Sequence, residues 1–257
     1  MTKRIGIAGL GTVGCGLLSI LTGNDQSARI SGALKVTGVS ARTKNRDRAV
    51  PIDAYPWMDD PVALATSPET DIFVELIGGA EGPARASVEA ALRAGKSVVT
   101  ANKALIAAHG QELAALAEAH GATLKFEAAV AGGTPVVRGV GGALSACRIV
   151  SMAGILNGTC NFVLDQMAQH GASYDAAVKD AQDAGFAEAD PSLDVDGIDA
   201  AQKISILSML AYDGTVSEKD FSVRGISQVT PDDIAMAQQY DFAIKLIAEA
   251  RCGEDNG

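Results

Sequence analysis

The first fourteen residues constrain the fold more than any other stretch. RIGIAGLG is a short apolar run that ends in glycines, and TVGCGLLSILT follows it with the apolar spacing of a helix. Such a run predicts a buried strand, and the glycines before the helix predict a tight turn. Apolar runs and helix-period segments then alternate as far as residue 130. This alternation is typical of βαβ units, in which right-handed crossovers build a parallel sheet.

We therefore predict a Rossmann-like, doubly wound α/β domain over residues 1–132. Its strands are expected at 4–11, 34–41, 70–78, 96–101 and 123–130, and its helices at 12–22, 61–66, 83–95 and 103–121. Glycines cluster in AGGTPVVRGVGGAL, and the alternation lapses there. Residues 133–257 are expected to form a second, α+β domain. Its strands are expected at 147–156 and 241–250, and its helices at 161–171, 173–185 and 197–214.

Three glycines form a GxGxxG motif between the first strand and the first helix, as a dinucleotide-binding fold requires. Gly9 permits the tight turn, Gly11 lets backbone amides approach a pyrophosphate, and Gly14 allows close helix–strand packing. The start of the helix, with Thr12 and Val13, favours the phosphate charge. The motif predicts a nicotinamide dinucleotide cofactor, and the alternative is an ordinary glycine-rich turn.

The second predicted strand ends without the acid that reads the ribose 2′-hydroxyl of NAD. Four basic residues follow it instead: Arg42, Lys44, Arg46 and Arg48. An arginine here can hold a 2′-phosphate, so NADP is favoured while NAD stays possible, and we assign this role to Arg42. A solvated basic loop is the alternative.

Lys103 begins a predicted helix at the carboxyl end of a strand. Ligands of open parallel sheets bind at these strand ends, so Lys103 could reach the cofactor or the substrate. Taken alone, a lysine at this position is also compatible with an ordinary helix surface.

The segment GFAEADPSLDVDGIDAAQK is rich in carboxylates and ends in a lysine. Asp199 and Lys203 are four residues apart, so both lie on one face of the predicted helix, which is otherwise apolar. Charged side chains in apolar surroundings need a reason, and catalysis is one. A solvated acidic loop and a buried ion pair are the alternatives.

Composition excludes several classes of partner. The net charge is −10, which argues against nucleic acid and acidic membranes as partners. We see no apolar run long enough to span a membrane and no signal peptide. The four cysteines are scattered, which predicts reduced thiols in the cytoplasm. Cys160 could be a nucleophile, but no nearby histidine would activate it, so a buried structural cysteine is favoured.

Several segments carry a resemblance to a known family. They are the glycine loop, VELIGG, TANKALIA, EAAVAGGTPVV, GILNGTCNF, GFAEADPSLDVDGIDAAQK and ISQVTPDDI, in that order. Together they resemble homoserine dehydrogenase, from Ile5 to about Arg251. The resemblance implies an NAD(P)-dependent oxidoreductase that interconverts L-aspartate 4-semialdehyde and L-homoserine, in the synthesis of threonine, methionine and isoleucine.

The resemblance also implies that residues 133–257 serve substrate binding, catalysis and dimerisation, and it implies roles for individual residues. Glu188 would hold the amino group of the substrate, with Asp194 adding negative charge. Lys203 would supply the proton to the aldehyde oxygen as hydride arrives, and Asp199 would orient Lys203 and help to bind the substrate. Lys103 matches the lysine of the family's ANKALLA segment and is assigned to both catalysis and cofactor binding.

A monovalent cation such as Na⁺ is also implied. Its ligands would be mostly backbone carbonyls of a loop that contains Glu127, Val130, Gly132 and Thr134. Thr134 stands where we expect an aliphatic residue, but ligation by a carbonyl does not depend on the side chain. Members of the family normally continue beyond residue 257, and many bacterial members add a regulatory ACT domain. We therefore expect the second domain to be incomplete.

Two alternatives to this function stay open from the sequence. One is a thiol-dependent aldehyde dehydrogenase acting through Cys160, and the other is a non-catalytic nicotinamide-cofactor-binding fragment. The expected partners are a small-molecule substrate and further copies of the chain, in a homodimer or higher homo-oligomer.

Overall fold

The computed structural model describes residues 2–22, 33–212, 216 and 220–252. They form two compact units that divide between Val137 and Arg138. The first unit is built on a five-stranded parallel sheet, and the second contains helices and a two-stranded antiparallel sheet. The predicted fold class, a Rossmann-like α/β fold with an α+β region after it, is confirmed.

The sheet of the first unit has the strand order β2-β1-β3-β4-β5. Its strands are β1 (Lys3–Ala8), β2 (Leu34–Ser40), β3 (Ile72–Glu75), β4 (Ser97–Thr100) and β5 (Leu124–Lys125), and the helices are α1 (Thr12–Thr22), α2 (Pro61–Thr66), α3 (Pro83–Arg93) and α4 (Lys103–Ala119). Ala8 pairs with Ser40 and Glu75, and Glu75 pairs with Thr100. The carboxyl ends of four strands therefore share one edge of the sheet, where ligands of such folds bind.

Apolar side chains of the central strands make the core of this sheet. Ile7, Phe73 and Val98 are completely buried. Central parallel strands are covered by helices on both faces, which explains why their sequences are almost continuously apolar. These runs are what made the first four strands predictable.

The turn after β1 depends on its first and third glycines. Gly9 has a φ of +100°, and a Cβ there would lie 2.2 Å from the Leu76 carbonyl oxygen. A Cβ on Gly14 would lie 2.0 Å from the Gly9 carbonyl oxygen, whereas one on Gly11 would meet no atom within 4 Å. The tight turn at Gly9 and the close packing at Gly14 agree with the roles predicted from the motif, and the backbone at Gly11 is open to a ligand.

The second unit has its own core. Its strands are β6 (Ser151–Gly154) and β7 (Ala248–Arg251), and its helices are α5 (Gly158–His170), α6 (Tyr174–Asp183), α7 (Ser192–Val195), α8 (Ile198–Ala211) and α9 (Pro231–Gln239). The buried side chains of α5 form one cluster with Ala177 and Ala181 of α6. In a second cluster, Ala200 and Ile204 of α8 pack with Ala248 and Ala250 of β7.

Every predicted strand is shorter in the structure, and the strand expected at 70–78 is reduced to the four residues of β3. The strand expected at 123–130 ends at Lys125, and Glu127–Ala129 forms a 3₁₀ turn closed by a hydrogen bond from the Ala129 amide to the Phe126 carbonyl. Val130 is nevertheless completely buried, so the apolar run marks a buried turn, which periodicity alone cannot tell from a strand. The strand expected at 147–156 is reduced to the four residues of β6. The strand expected at 241–250 begins only at Ala248 and ends one residue later than predicted, at Arg251, as β7, which pairs with β6.

The helix expected at 197–214 begins at Ile198 and ends at Ala211, and residues 213 and 214 lie outside the described part of the chain. Short helical turns also occur at Val136–Arg138 and Gly139–Ala143, which the sequence did not predict.

Gly14 and Gly16 of α1 provide a test of the packed turn. Gly14→Ala places a methyl group against the Gly9 carbonyl, so we expect it to destabilise the fold by about 1–3 kcal/mol. Gly16 is exposed, and an added Cβ meets no atom within 4 Å. Gly16→Ala should therefore stabilise the helix by about 0.5–1 kcal/mol. Urea unfolding followed by circular dichroism measures both, and equal midpoints for the two variants would contradict this account of the turn.

Candidate functional site

A cavity of about 490 Å³ opens at the carboxyl edge of the sheet in the first unit. The glycine turn, the loop after β2 and the loop after β3 line it, through residues that include Gly9, Gly11, Arg42, Arg48, Leu76 and Ile77. Thr12 begins α1 beside it, so the unpaired amides of the first helical turn lie next to the open backbone at Gly11. A concave site at this edge, with a helix N-terminus and basic side chains, suits a dinucleotide.

Four of the residues predicted to bind the cofactor lie at or beside this cavity. Gly9, Gly11 and Arg42 line it, and Thr12 lines an adjoining cavity of about 470 Å³. Arg42 is exposed. Val13 is also exposed, on the first turn of α1, whereas Gly14 is buried and acts through packing.

A buried carboxylate, Glu75, fixes the loops that follow β3 and β4. Its side chain is completely buried at the end of β3. Its Oε1 accepts hydrogen bonds from the amides of Ile77 (2.7 Å) and Gly78 (3.1 Å), and its Oε2 accepts one from the Thr100 hydroxyl (2.5 Å). The loop that lines the cavity is therefore tied to the end of β4 through one carboxylate.

The same network leads to Lys103. The Asn102 side chain donates to the Gly79 carbonyl (2.8 Å), and its Oδ1 accepts the Leu105 amide (3.1 Å) as the N-cap of α4. Lys103 is the first residue of this helix and is half-buried. The Asn102 cap thus sets the backbone position of Lys103, which lies at the carboxyl edge of the sheet, as predicted from the sequence.

The loop expected to hold a cation has a backbone suited to one. Ala131 and Gly133 both have positive φ angles, of 47° and 90°. Among the described residues, no backbone amide donates a hydrogen bond to the carbonyls of Val130 and Gly132. Glu127 lies in the 3₁₀ turn before them, and its carboxylate accepts the Val137 amide (3.1 Å). Thr134 closes the loop through a bond from its amide to the Ala131 carbonyl (2.8 Å).

Lys203 and Asp199 meet as predicted in the second unit. The Lys203 Nζ donates to Asp199 Oδ2 and to the Leu156 carbonyl, both at 2.7 Å. Asp199 is 3% exposed, whereas 17% of the Lys203 side chain is exposed. The carboxylate is therefore held inside the protein, whereas part of the Lys203 side chain stays exposed.

Asn157 joins this pair to Asp194. Its Nδ2 donates to Asp199 Oδ2 (2.8 Å) and to Asp194 Oδ1 (2.6 Å), and its Oδ1 accepts the Cys160 amide (2.7 Å) as the N-cap of α5. The Thr159 hydroxyl lies 3.0 Å from Asp194 Oδ2. The two carboxylates and Lys203 thus form one cluster with Asn157 at its centre.

Glu188 is placed differently from the other predicted substrate ligands. It is exposed on the loop between α6 and α7, and Gln182 donates to its backbone carbonyl (3.1 Å). No hydrogen bond joins its carboxylate to the cluster within the part of the chain that the structure describes. The nearby Asp190 carboxylate accepts a hydrogen bond from the Ser192 amide (3.1 Å). Hydrogen bonding to the side chain and backbone of Ser192 holds the pKa of Asp190 below its usual range. Asp190 therefore shapes the loop.

Sequence reasoning missed Glu75, Asn157 and Thr159 as parts of these sites. Each carried a signal. Glu75 is an acid within a strand that is otherwise apolar, and Asn157 and Thr159 lie in GILNGT, directly before a predicted helix, where asparagine is a common cap. The spacing of residues could not show which carboxylates these caps would reach.

Cys160 is a buried structural thiol. It is completely buried, and its Sγ donates to the Asp194 carbonyl (3.1 Å). Burial, with a smaller effect of the nearby carboxylates, raises the pKa of this thiol to about 12. A nucleophilic cysteine needs an accessible thiolate near neutral pH, so the geometry argues against catalysis through Cys160.

These features define a class of protein: a Rossmann dinucleotide-binding unit, and a second unit with a lysine–carboxylate cluster suited to proton transfer, are typical of nicotinamide-dependent oxidoreductases. Two protein-family models match. The one described as homoserine dehydrogenase, NAD binding domain, covers residues 9–127, and the one described as homoserine dehydrogenase covers residues 135–254.

Individual relatives agree with these matches. The chain is 46% identical over 252 residues to homoserine dehydrogenase from Corynebacterium glutamicum. The aligned region covers 96% of this chain and 56% of that protein. A crystal structure of a homoserine dehydrogenase from Thiobacillus denitrificans is similar with a TM-score of 0.89 and 41% identity, over 99% of this chain and 59% of that one. A hyperthermophilic archaeal homoserine dehydrogenase in complex with NADPH is similar with a TM-score of 0.80 and 28% identity. This match covers 100% of this chain and 84% of the archaeal one.

The chain belongs to the homoserine dehydrogenase family. It spans 59% of the length of the curated relative from Synechocystis and 56% of the one from Corynebacterium glutamicum. Among its described helices, none is both long and apolar enough to cross a membrane. The described residues contain no group of three or more His, Cys, Asp or Glu side chains that could hold a metal ion.

The thiols offer a test that separates the structural account of Cys160 from a nucleophilic one. Cys147 is exposed, and Cys160 is buried with a raised pKa. Because a pKa near 12 leaves almost no thiolate at pH 8, iodoacetamide should label Cys147 rapidly and leave Cys160 unlabelled in the folded protein. Peptide mass spectrometry reads both sites, with urea-unfolded protein as the control in which both react. Labelling of Cys160 as fast as Cys147 in folded protein would revive the thiol mechanism.

Proposed function

We propose that this chain carries the cofactor-binding and catalytic parts of a homoserine dehydrogenase, which interconverts L-aspartate 4-semialdehyde and L-homoserine with NAD(P)H. The observation that carries the proposal is the cluster of Lys203, Asp199, Asn157 and Asp194, in a chain of this family. The pathway would be the synthesis of threonine, methionine and isoleucine, and the compartment the cytoplasm. The assembly would be a homodimer or higher homo-oligomer.

Lys203 is the proton donor in this proposal. An ammonium has three N–H groups, and two of them are used by Asp199 and the Leu156 carbonyl. The third can point at the aldehyde oxygen of a substrate. A bound nicotinamide would supply the hydride for the aldehyde carbon, and Lys203 would give its proton to the aldehyde oxygen, which becomes the hydroxyl. Asp199 holds the ammonium in position, and in the oxidation direction Lys203 takes the proton back.

The ammonium group of the substrate requires negative charge. Glu188 and Asp194 supply it in our proposal. The Glu188 carboxylate is exposed, and Asp194 is held by Asn157 and Thr159. An amino acid that carries both an ammonium and an aldehyde would thus meet carboxylates at one end and Lys203 at the other. Asn157 and Lys203 already share Asp199 Oδ2. Asp199 therefore contributes by orienting Lys203 and by its negative charge.

The cofactor is NADPH in our proposal, and NADH stays possible. The glycine turn and the start of α1 would hold the pyrophosphate, and Arg42 would pair with the 2′-phosphate. The presence of NADPH in the complex of the archaeal relative supports this preference. Lys103, at the start of α4, would act from the same edge of the sheet on cofactor and substrate.

A monovalent cation such as Na⁺ fits the loop from Glu127 to Thr134. Alkali cations prefer oxygen ligands, and no described backbone amide donates to the carbonyls of Val130 and Gly132. Glu127 adds negative charge close to them. We propose that the ion would fix the backbone of this loop and take no part in the chemistry.

The direct test is an assay of NADPH oxidation with L-aspartate 4-semialdehyde, followed by absorbance, on this chain. Its matched control is Lys203→Met, which keeps most of the side-chain length and removes the proton donor. Turnover by the native chain, with turnover by the control lower by about a hundredfold or more, supports the proposal. A chain that binds NADPH but turns over no substrate would favour a non-catalytic cofactor-binding fragment instead.

The Asp199–Lys203 pair allows catalysis to be separated from stability. Lys203→Ala should lower turnover by about a hundredfold to ten-thousandfold, the usual contribution of a positioned acid or base. NADPH binding, measured by fluorescence titration, should survive, because the phosphates bind in the other unit.

A purely structural ion pair predicts a different result. Each single variant would then lose stability by about 3–5 kcal/mol because one charge is stranded. The double variant Asp199→Asn, Lys203→Met would regain both stability and activity. We expect the double variant to be folded and inactive, and an active one would end the catalytic assignment.

A further inference from the structure

Arg48 binds the backbone of the basic loop that follows β2 and of the glycine turn. Its Nη1 donates to the carbonyls of Lys44 (2.8 Å) and Arg46 (3.0 Å), and its Nη2 donates to the carbonyl of Thr43 (2.5 Å). Its Nε donates to the carbonyl of Leu10 (3.3 Å), which lies between Gly9 and Gly11. One guanidinium therefore closes the loop on itself and attaches it to the turn after β1.

This bonding leaves Arg48 little capacity to bind a ligand. A guanidinium has five N–H donors, and four of them are used on backbone carbonyls. Arg42 is the opposite case. It is exposed, it lines the cavity, and within the described part of the chain it forms no hydrogen bond or ion pair. Two arginines six positions apart therefore have different tasks.

We propose that Arg48 is a positioning residue for cofactor selectivity: it holds the basic loop at the cavity so that Arg42 can read a 2′-phosphate. The inference rests on the proposed NADPH preference. The pyrophosphate and the 2′-phosphate of one cofactor molecule are separated by a limited range of distances. The bond to Leu10 fixes the corresponding separation in the protein, between the glycine turn and the loop that carries Arg42.

The ring of Trp57 supports the same arrangement. The guanidinium carbon of Arg48 lies 5.8 Å from the centre of this ring, and the Lys44 Nζ lies 5.9 Å from it. Both distances allow cation–π attraction. The Trp57 indole N–H donates to Asp59 (2.7 Å), which lines the cavity. The hydrogen bond to Asp59 therefore orients the Trp57 ring, and the ring face packs against the cationic side chains of Lys44 and Arg48.

Lysine should not replace Arg48. An ammonium carries the same charge but cannot spread planar donors over four carbonyls. Arg48→Lys therefore tests geometry at constant charge. We expect NADPH affinity to fall by about tenfold or more, as for the loss of a charged hydrogen bond, and NADH affinity to change by less than about twofold. Fluorescence titration of the chain with each nucleotide measures both, with Arg93→Lys, an exposed arginine of α3, as the matched control.

A double-mutant cycle distinguishes positioning from direct contact. If Arg48 acts through Arg42, adding Arg48→Lys to Arg42→Ala should cause little further loss of NADPH affinity, because the two effects are not additive. Additive losses would overturn the proposal in favour of direct contact between Arg48 and the phosphate. An equal loss of NADPH and NADH affinity would overturn it in favour of a general structural role. A native chain that binds NADH as tightly as NADPH would also overturn it, whatever its dehydrogenase activity.

Trp57 gives a second readout because it is the only tryptophan in the chain. Release of the loop in ligand-free Arg48→Lys should shift its emission to longer wavelength, whereas Arg42→Ala should not. A thermal melt checks folding. If Arg48→Lys does not fold, Trp57→Ala and Trp57→Phe give the corresponding comparison at the supporting ring. The proposal is supported if Trp57→Ala loses the preference for NADPH over NADH and Trp57→Phe keeps it. It is overturned if both variants keep the preference.

Discussion

The close approach of the backbone after β3 to the turn after β1 is the constraint on which the first unit depends. A side chain at Gly9 would lie 2.2 Å from the Leu76 carbonyl oxygen, so only glycine permits this contact. The loop after β3, which makes this contact, is held by Glu75. The buried Glu75 carboxylate accepts hydrogen bonds from the amides of Ile77 and Gly78. Unsatisfied, such a buried charge would be costly, so the loop has strong reason to keep this shape. The cavity is thus formed before any ligand arrives, which reduces the entropy lost on binding.

The second unit solves a related problem around a buried charge. Asp199 is almost completely buried, and the desolvation of an ion pair can exceed its Coulombic attraction. Two donors, Asn157 and Lys203, share its Oδ2 and offset that cost. An apolar pair of similar volume would serve stability at least as well. Stability alone therefore does not call for this pair, whereas the proton transfer that we propose requires it.

The sequence was most informative where a local rule is strict. The first four strands and the helices around them were predictable, because parallel strands are apolar throughout and glycine is required at Gly9 and Gly14. The spacing of Asp199 and Lys203 also predicted their contact. The strand expected at 123–130 failed because buried turns and strands can share one apolar pattern. The bonds of Asn157 to Asp194 and Asp199 span 37 and 42 residues, and no local pattern encodes such distances.

The residues that were missed share a physical property that explains why they were missed. Charged groups assigned to ligands, such as Arg42 and Glu188, are exposed and stand out in a sequence by their charge. The groups that hold the sites in shape, such as Glu75 and Asn157, are buried with their hydrogen bonds directed at protein atoms. Arg48 belongs with the second group although its charge suggested the first. Charge alone therefore identifies where a ligand could bind, whereas the hydrogen-bond partners of each charge decide which residues meet the ligand and which ones hold them in place.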